Sequence, residues 1–263
     1  MGRVFALANQ KGGVGKTTTA VNLGAYLAAA GKRVLLVDLD PQANATSSLG
    51  IDRKSLPAST YEVLLGGLAT ELAIVVSKQV RLDLLPAAPA LAGAEVELVG
   101  LMAREQRLGR ALEPVADLYD YVFVDCPPSL GLLTVNALTA ARNGVLIPVQ
   151  CEYLALEGIG QLTQTLNLVR SSLFPEMRIR GVILTMFDIR TNLSADVVRE
   201  VRKFFPNLVY DSVIPRSVRL AEAPSYGLPI NQYAPESNPA KAYAGLTLEL
   251  LNQDGGFSAP PLG

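Results

Sequence analysis

Lys11-Gly12-Gly13-Val14-Gly15-Lys16-Thr17-Thr18 is the stretch from which the rest of the chain is read. It follows an apolar run at residues 4–8 and opens a helix-forming run at residues 16–30. A glycine-rich loop between a strand and a helix is the context in which phosphates are bound. Glycines let the backbone bend so that successive N–H groups face one anion, and the helix N-terminus adds its positive dipole end. The loop residues Gly12, Gly13, Val14 and Gly15 would cradle the phosphates. Lys16 would reach the β- and γ-phosphates, the Thr17 hydroxyl would sit on Mg²⁺, and Thr18 would lie near the α-phosphate. The usual pattern has a glycine five residues before Gly15, where this chain has Gln10. An extra lysine, Lys11, stands inside the loop instead.

Outward from the loop, short apolar runs alternate with longer amphipathic ones. Strands are expected at residues 4–8, 33–38, 82–86, 121–125, 144–149, 181–186 and 209–214. Helices are expected at 16–30, 60–65, 91–112, 134–141, 156–173, 194–204 and 240–251, with Gly31 at a helix C-terminus. Several strands are apolar throughout, as strands buried on both faces are. The pattern is that of an α/β fold, a single-domain, doubly wound, mostly parallel sheet over residues 1–251. Residues 252–263, with Gly-Gly, Pro-Pro and almost no charge, read as a disordered tail.

Composition excludes several chemistries. The 263 residues contain no histidine, which removes Ser-His-Asp and Cys-His catalysis, histidine metal sites and histidine pH switches. Two cysteines, Cys126 and Cys151, are too few for a disulfide framework or a zinc ribbon and read as small buried residues. The net charge of −1 gives the whole chain no pull toward nucleic acid, so any such binding needs a local patch. No run approaches the roughly 18 apolar residues of a membrane span, and the first residues lead straight into the loop without a signal-peptide pattern. The expected location is the cytoplasm.

Two lysines in one loop need two tasks. The run resembles the deviant Walker A motif of the ParA/MinD ATPase family, a branch of the P-loop NTPases. That resemblance implies that Lys11 reaches across a nucleotide-sandwich homodimer while Lys16 serves its own ATP. Two further stretches fit the family. Leu35-Leu36-Val37-Asp38-Leu39-Asp40-Pro41-Gln42 ends a strand in two carboxylates; the resemblance makes Asp40 the residue that orients or activates the attacking water, with Asp38 supporting Mg²⁺ through water. Tyr121-Val122-Phe123-Val124-Asp125 has the Walker B form, in which Asp125 would hold Mg²⁺ through water. The segment 127–132 resembles the second switch, which senses the γ-phosphate.

Within the family the chain is similar to ParA/Soj proteins of chromosome and plasmid partition along nearly its whole length. The resemblance is carried by the run from Asp38 to Thr46, by Leu184-Thr-Met-Phe-Asp-Ile-Arg-Thr-Asn and by Val213-Ile-Pro-Arg-Ser-Val-Arg-Leu-Ala-Glu-Ala-Pro-Ser. It implies adenine contacts from Pro215 and Ser217, with Met186 nearby, although the family often has asparagine where this chain has Ser217. It also implies sequence-blind binding of double-stranded DNA through Arg190 and Arg219, a ParB-like activator, and a nucleoid-associated location. From residue 170 to 219 nine basic residues face five acidic ones, which fits a local patch. The rivals are a MinD-like membrane-associated positioning ATPase and a metabolic P-loop enzyme. The first needs a basic amphipathic C-terminal helix, which Gly-Gly-Phe-Ser-Ala-Pro-Pro-Leu-Gly does not form. The second does not need Lys11. An iron–sulfur carrier would need cysteines placed to share a cluster.

Overall fold

The computed structural model describes residues 2–77, 80–153 and 155–255. Eight strands are Arg3–Leu7 (β1), Val34–Asp38 (β2), Val75–Ser77 (β3), Leu82–Leu85 (β4), Tyr121–Asp125 (β5), Val145–Gln150 (β6), Ile179–Phe187 (β7) and Val209–Pro215 (β8). They form one sheet in the order β3-β4-β2-β5-β1-β6-β7-β8. All pairings are parallel except that of the edge strand β3 with β4. β1 lies between β5 and β6, where the direction of strand succession reverses. A doubly wound sheet binds its ligand at the carboxyl ends of strands at such a point.

The helices are Lys16–Ala29 (α1), Asn44–Ser48 (α2), Thr60–Leu65 (α3), Thr70–Ala73 (α4), Leu91–Leu98 (α5), Arg107–Ala116 (α6), Leu132–Ala140 (α7), Ala155–Ser172 (α8), Asn192–Phe204 (α9), Val218–Glu222 (α10), Ile230–Tyr233 (α11) and Asn238–Gln253 (α12). Side chains alternate across each strand, so the sheet has two cores. Val4, Ala6, Leu35, Val37, Val122 and Val124 join α3 and α5 to α9 on one face. Phe5, Leu7, Leu36, Tyr121 and Phe123 join α1 and α12 on the other. There the rings of Phe5, Tyr121 and Phe123 cluster at near-equal distances, with centroids 5.9–6.3 Å apart.

The expected helix over 91–112 is two helices. A 3₁₀ turn at Arg104–Gln106 separates α5 from α6, after Ala103 takes a left-handed conformation with φ 49°. The break is held from α7. Asn136 is fully buried. Its Nδ2 donates to Arg104 O at 2.7 Å, and its Oδ1 accepts the Leu108 N–H at 3.0 Å. The backbone groups orphaned at the break thus find a side-chain partner.

The C-terminal helix is longer than the sequence pattern suggests. α12 runs through Gln253, into the stretch read as an irregular tail. Asp254 then accepts hydrogen bonds from Arg180 Nη2 at 2.8 Å and from Tyr121 Oη at 3.0 Å, with Arg3 at 3.6 Å. Burial of this cluster restrains the end of the helix. Residues 256–263, on which both the tail reading and the dismissal of a membrane helix rested, lie outside the described residues. Among the described residues no helix is long and apolar enough to cross a membrane.

Replacing Asn136 with alanine leaves Arg104 O and Leu108 N–H unpaired in the core. We expect a stability loss of about 1–3 kcal/mol by urea denaturation. An unchanged midpoint would mean that the break between α5 and α6 is held by packing alone.

Candidate nucleotide-binding site

The loop after β1 is shaped by two left-handed glycines, Gly13 (φ 73°) and Gly15 (φ 89°). Gly15 is the N-cap of α1, where no side chain intervenes between the helix and an incoming anion. The loop is braced from outside. Thr185 Oγ1, near the end of β7, donates to Val14 O at 2.8 Å. Asn9 Nδ2 donates to Pro148 O at 2.7 Å, and Asn9 Oδ1 accepts the Lys11 N–H at 3.1 Å.

Lys16 is buried, with its Nζ donating to Asn9 O at 3.0 Å and Lys11 O at 3.4 Å. Burial lowers its pKa, against the nearby carboxylates of Asp125 and Asp40. Its ammonium therefore sits among loop carbonyls, within the field of the carboxylates at the ends of β5 and β2.

Asp125 is wholly buried, and among the described residues neither carboxylate oxygen has a hydrogen-bond partner. Burial, then the neighbouring Asp38, push its pKa well up. Thr17 and Lys16 pull it down, although Thr17 does not meet hydrogen-bond geometry with it. A buried carboxylate with no donor is costly unless a cation completes it. Its donor set fits a hydrated Mg²⁺ shared with phosphates and with the hydroxyl of Thr17. Among the described residues there is no cluster of three or more acidic, histidine or cysteine side chains that would hold a metal without such help.

Asp38 is different, because its oxygens are already engaged. Oδ2 accepts from Thr46 N at 2.8 Å and Thr46 Oγ1 at 2.7 Å, and Oδ1 accepts from Asp40 N at 3.2 Å. Burial raises its pKa to about 6 despite those bonds. It ties the end of β2 to α2. Asp40 is buried too, but its Oδ1 accepts only the Gln42 N–H, at 2.9 Å, and the residue lines the phosphate cleft.

That cleft, ≈ 390 Å³, includes Lys16, Thr17, Asp40 and Pro128 of the second-switch segment. A second, ≈ 270 Å³, adjoins it and shares Gly15, Thr18 and Met186. Its walls include Pro215 and Ser217, so the structure gathers all three expected adenine residues in one cleft. Met186 stands at the junction with φ 54°. Ser217 Oγ caps α10 by accepting the Arg219 N–H at 3.2 Å, which leaves its proton free to donate.

Lys11 stands at the mouth of the loop, 32% exposed, with its Nζ 4.0 Å from Glu152. Glu152 also pairs with Arg216. Arg190 and Arg219 are exposed on the segments that follow β7 and β8, which are adjacent in the sheet. Arg190 makes a fork with Asp188, at 2.9 Å and 2.7 Å, which holds the Asp188 carboxyl well below the usual range. Arg219 lies 3.3 Å from Glu222.

Three participants are not evident from the sequence. Tyr243 of α12 lines the second cleft and meets Thr19 at 3.2 Å between hydroxyls. Glu152 pairs with Lys11, and Asn9 organises the loop entrance. Glu152 and Tyr243 are remote from the glycine loop in sequence and belong to no phosphate pattern. Asn9 lies next to the loop, where its position alone hinted at a role.

A family model described as an AAA domain matches residues 2–179. The sporulation initiation inhibitor protein Soj of Bacillus subtilis (strain 168) is 55% identical over 250 residues, covering 95% of this chain and 98% of its own. The chromosome partitioning protein ParA of Myxococcus xanthus is 51% identical over 254 residues, covering 97% of this chain and 89% of its own. A solved structure of cobyrinic acid a,c-diamide synthase from Mycobacterium smegmatis, with bound ATP analog and magnesium, matches with a TM-score of 0.85 and 41% identity over 100% of both chains.

Both cysteines are buried. Burial pushes the Cys126 thiol far up, helped by Asp125, and pushes Cys151 up to about 12. Neither forms thiolate near neutral pH, so the folded protein should resist iodoacetamide at pH 8 and take up two labels once unfolded. Labelling of the native protein in minutes, read by intact mass, would contradict this burial.

Proposed function

The chain belongs to the ParA/Soj family of chromosome-partitioning ATPases, and on that premise we propose that it is an Mg·ATP-driven switch that closes into a homodimer, holds double-stranded DNA without sequence preference, and lets go on hydrolysis. The observation that carries this reading is the pair of lysines in one loop. Lys16 occupies the interior, while Lys11 reaches the mouth and, among the described residues, is held only by an exposed carboxylate. An exposed ion pair of this kind is worth about 0–1 kcal/mol, so Lys11 is easily transferred to a phosphate of a second molecule's nucleotide.

Within one protomer the loop amides and Lys16 would grip the phosphates, while Pro215, Ser217 and Met186 would take the adenine. The unpartnered Asp125 and the Thr17 hydroxyl would hold Mg²⁺, which when bound neutralises charge on the β- and γ-phosphates. Asp38 supports that ion indirectly, by fixing the segment that carries Asp40. Asp40, with one oxygen free of backbone bonds, orients the attacking water. Catalysis of this kind is mostly positioning and charge stabilisation, and a ParB-like partner would accelerate it. Arg190 and Arg219 would meet DNA phosphates, where contacts are salt-sensitive and blind to sequence. The protein would then act in the cytoplasm, on the nucleoid.

The amide-synthase name of one structural relative favours a second reading, an ATP-dependent amide-forming enzyme. DNA retention measured with ATP, ADP and no nucleotide separates the two. Retention that requires ATP supports the switch, and turnover of a small acid with no nucleotide-dependent retention supports the synthase.

Lys16→Ala should abolish ATP binding, and wild-type affinity in that variant would remove the phosphate loop from the mechanism. Lys11→Ala should still bind ATP as a monomer but fail to dimerise, which light scattering reads directly.

Asp40→Ala should retain Mg·ATP through Lys16, Thr17 and Asp125, and hydrolyse it about 10²–10⁴-fold more slowly. Its ATP dimer should persist on DNA. Adding Arg219→Ala should weaken that hold and lower the salt slope of binding by about one unit. Wild-type turnover by Asp40→Ala, or a trapped dimer with no gain in DNA affinity over the nucleotide-free monomer, would each overturn the mechanism.

A further inference from the structure

Two short helical segments meet end to end beside the nucleotide clefts, and their junction is backbone against backbone. The first is α2. Its position is set by Thr46, whose N–H and Oγ1 both donate to Asp38 and whose Oγ1 also accepts the Ala87 N–H at 3.0 Å. The second comprises α10 and the 3₁₀ turn Ala223–Tyr226 that follows it. It carries Arg219 and is held by Glu222, which faces Arg219 and accepts from Tyr233 Oη at 2.9 Å. Ser48 of the first and Pro224 of the second line the same phosphate cleft.

The two segments end on left-handed glycines, Gly50 (φ 72°) and Gly227 (φ 67°). A Cβ on Gly227 would lie 2.8 Å from Gly50 Cα and 3.0 Å from Gly50 N. The atoms nearest such a Cβ are all backbone, with no side chain among them whose rotamer could change to absorb a displacement. A movement of one segment toward the other must therefore be passed on or resisted, because close-packed contacts transmit strain.

We propose that α2 and residues 218–227 form a strut, joined at Gly50 and Gly227, through which the state of the phosphate cleft sets the placement of Arg219. The proposal rests on the DNA-binding reading above and supplies its regulation: Asp38 and Asp40 anchor one end of the strut and the DNA-facing arginine rides on the other. Nucleotide and DNA are then coupled within one protomer, in addition to any coupling through dimerisation.

The test is the ratio of DNA affinities in Mg·ATP and Mg·ADP, measured by anisotropy of a labelled duplex of arbitrary sequence at one salt concentration. Wild type, Gly227→Ala and Gly31→Ala are compared. Gly31 has φ 79° with nothing within 4 Å of an added Cβ, so its variant carries the backbone strain without the collision. Wild type and Gly31→Ala should share one ATP preference. Gly227→Ala should bind a fluorescent ATP analogue as wild type does but lose at least about fivefold of the preference, the lower end of ordinary site-to-site coupling. An undiminished preference in Gly227→Ala overturns the strut. A wild-type protein with no preference overturns the DNA-binding reading itself. Should Gly227→Ala not fold, hydrogen exchange on the wild type decides. Residues 44–50 and 218–227 must change protection together when Mg·ATP is added, and a response confined to one of them overturns the proposal.

Discussion

At the carboxyl ends of β1, β2 and β5 the protein buries one ammonium and three carboxylates in a few residues' space: Lys16, Asp38, Asp40 and Asp125. Ionised groups in an apolar interior are tolerated only when partnered. Lys16 is partnered by carbonyls of its own loop, and Asp38 by the donors of Thr46 and Asp40. Asp125 is left without a donor. The sheet thus brings together a set of charges that is incomplete by itself, and a polyphosphate with its magnesium ion is a chemical complement to it. The braces on the loop from Thr185 and Asn9, and the brace on Asp38 from Thr46, keep that set in place. Both cores of the sheet serve the same end, since they fix the strand termini from which these residues project.

The outer cations follow a different rule. Lys11, Arg190, Arg216 and Arg219 each face a carboxylate of the same chain, namely Glu152, Asp188, Glu152 again and Glu222. These pairs are exposed, and surface pairs contribute little to stability. They also cancel much of the positive field on that edge. A chain with net charge −1 and paired surface arginines has weak long-range attraction for nucleic acid as a monomer. The buried groups are thus fixed by the fold, while exchangeable surface pairs leave the outer cations available to a phosphate that can compete for them.

Between these two zones lies the second cleft. Met186 and Pro215 lie at the carboxyl ends of the neighbouring strands β7 and β8, Ser217 just beyond β8, and Tyr243 on α12. The cap that Ser217 makes to Arg219 joins the wall of this cleft to an exposed arginine within three residues. Short connections of this kind place nucleotide and surface close enough for one to influence the other.

By itself the sequence determined the phosphate loop, the parallel sheet and the identity of its charged strand ends. Central strands such as Val34–Asp38 and Tyr121–Asp125 are apolar on both faces, so their pattern is local and needs no partner to be read. The loop is legible for the same reason: glycine, lysine and threonine act through neighbouring backbone. What runs over 91–112 was not legible, because helical periodicity persists across the break and the residue that holds it open, Asn136, lies on another helix. The edge strand Val75–Ser77, the short helix α2 and the extension of α12 to Gln253 were likewise too short, or too dependent on remote partners such as Asp38 and Arg180, to show a period. In the site, the tertiary structure alone decided that Asp38 is fully hydrogen-bonded while Asp125 is not. It also decided that Glu152 holds Lys11 and that Tyr243 walls the second cleft. Each depends on which distant backbone or side-chain group arrives within about 3–4 Å, a distance set by packing and not by spacing along the chain.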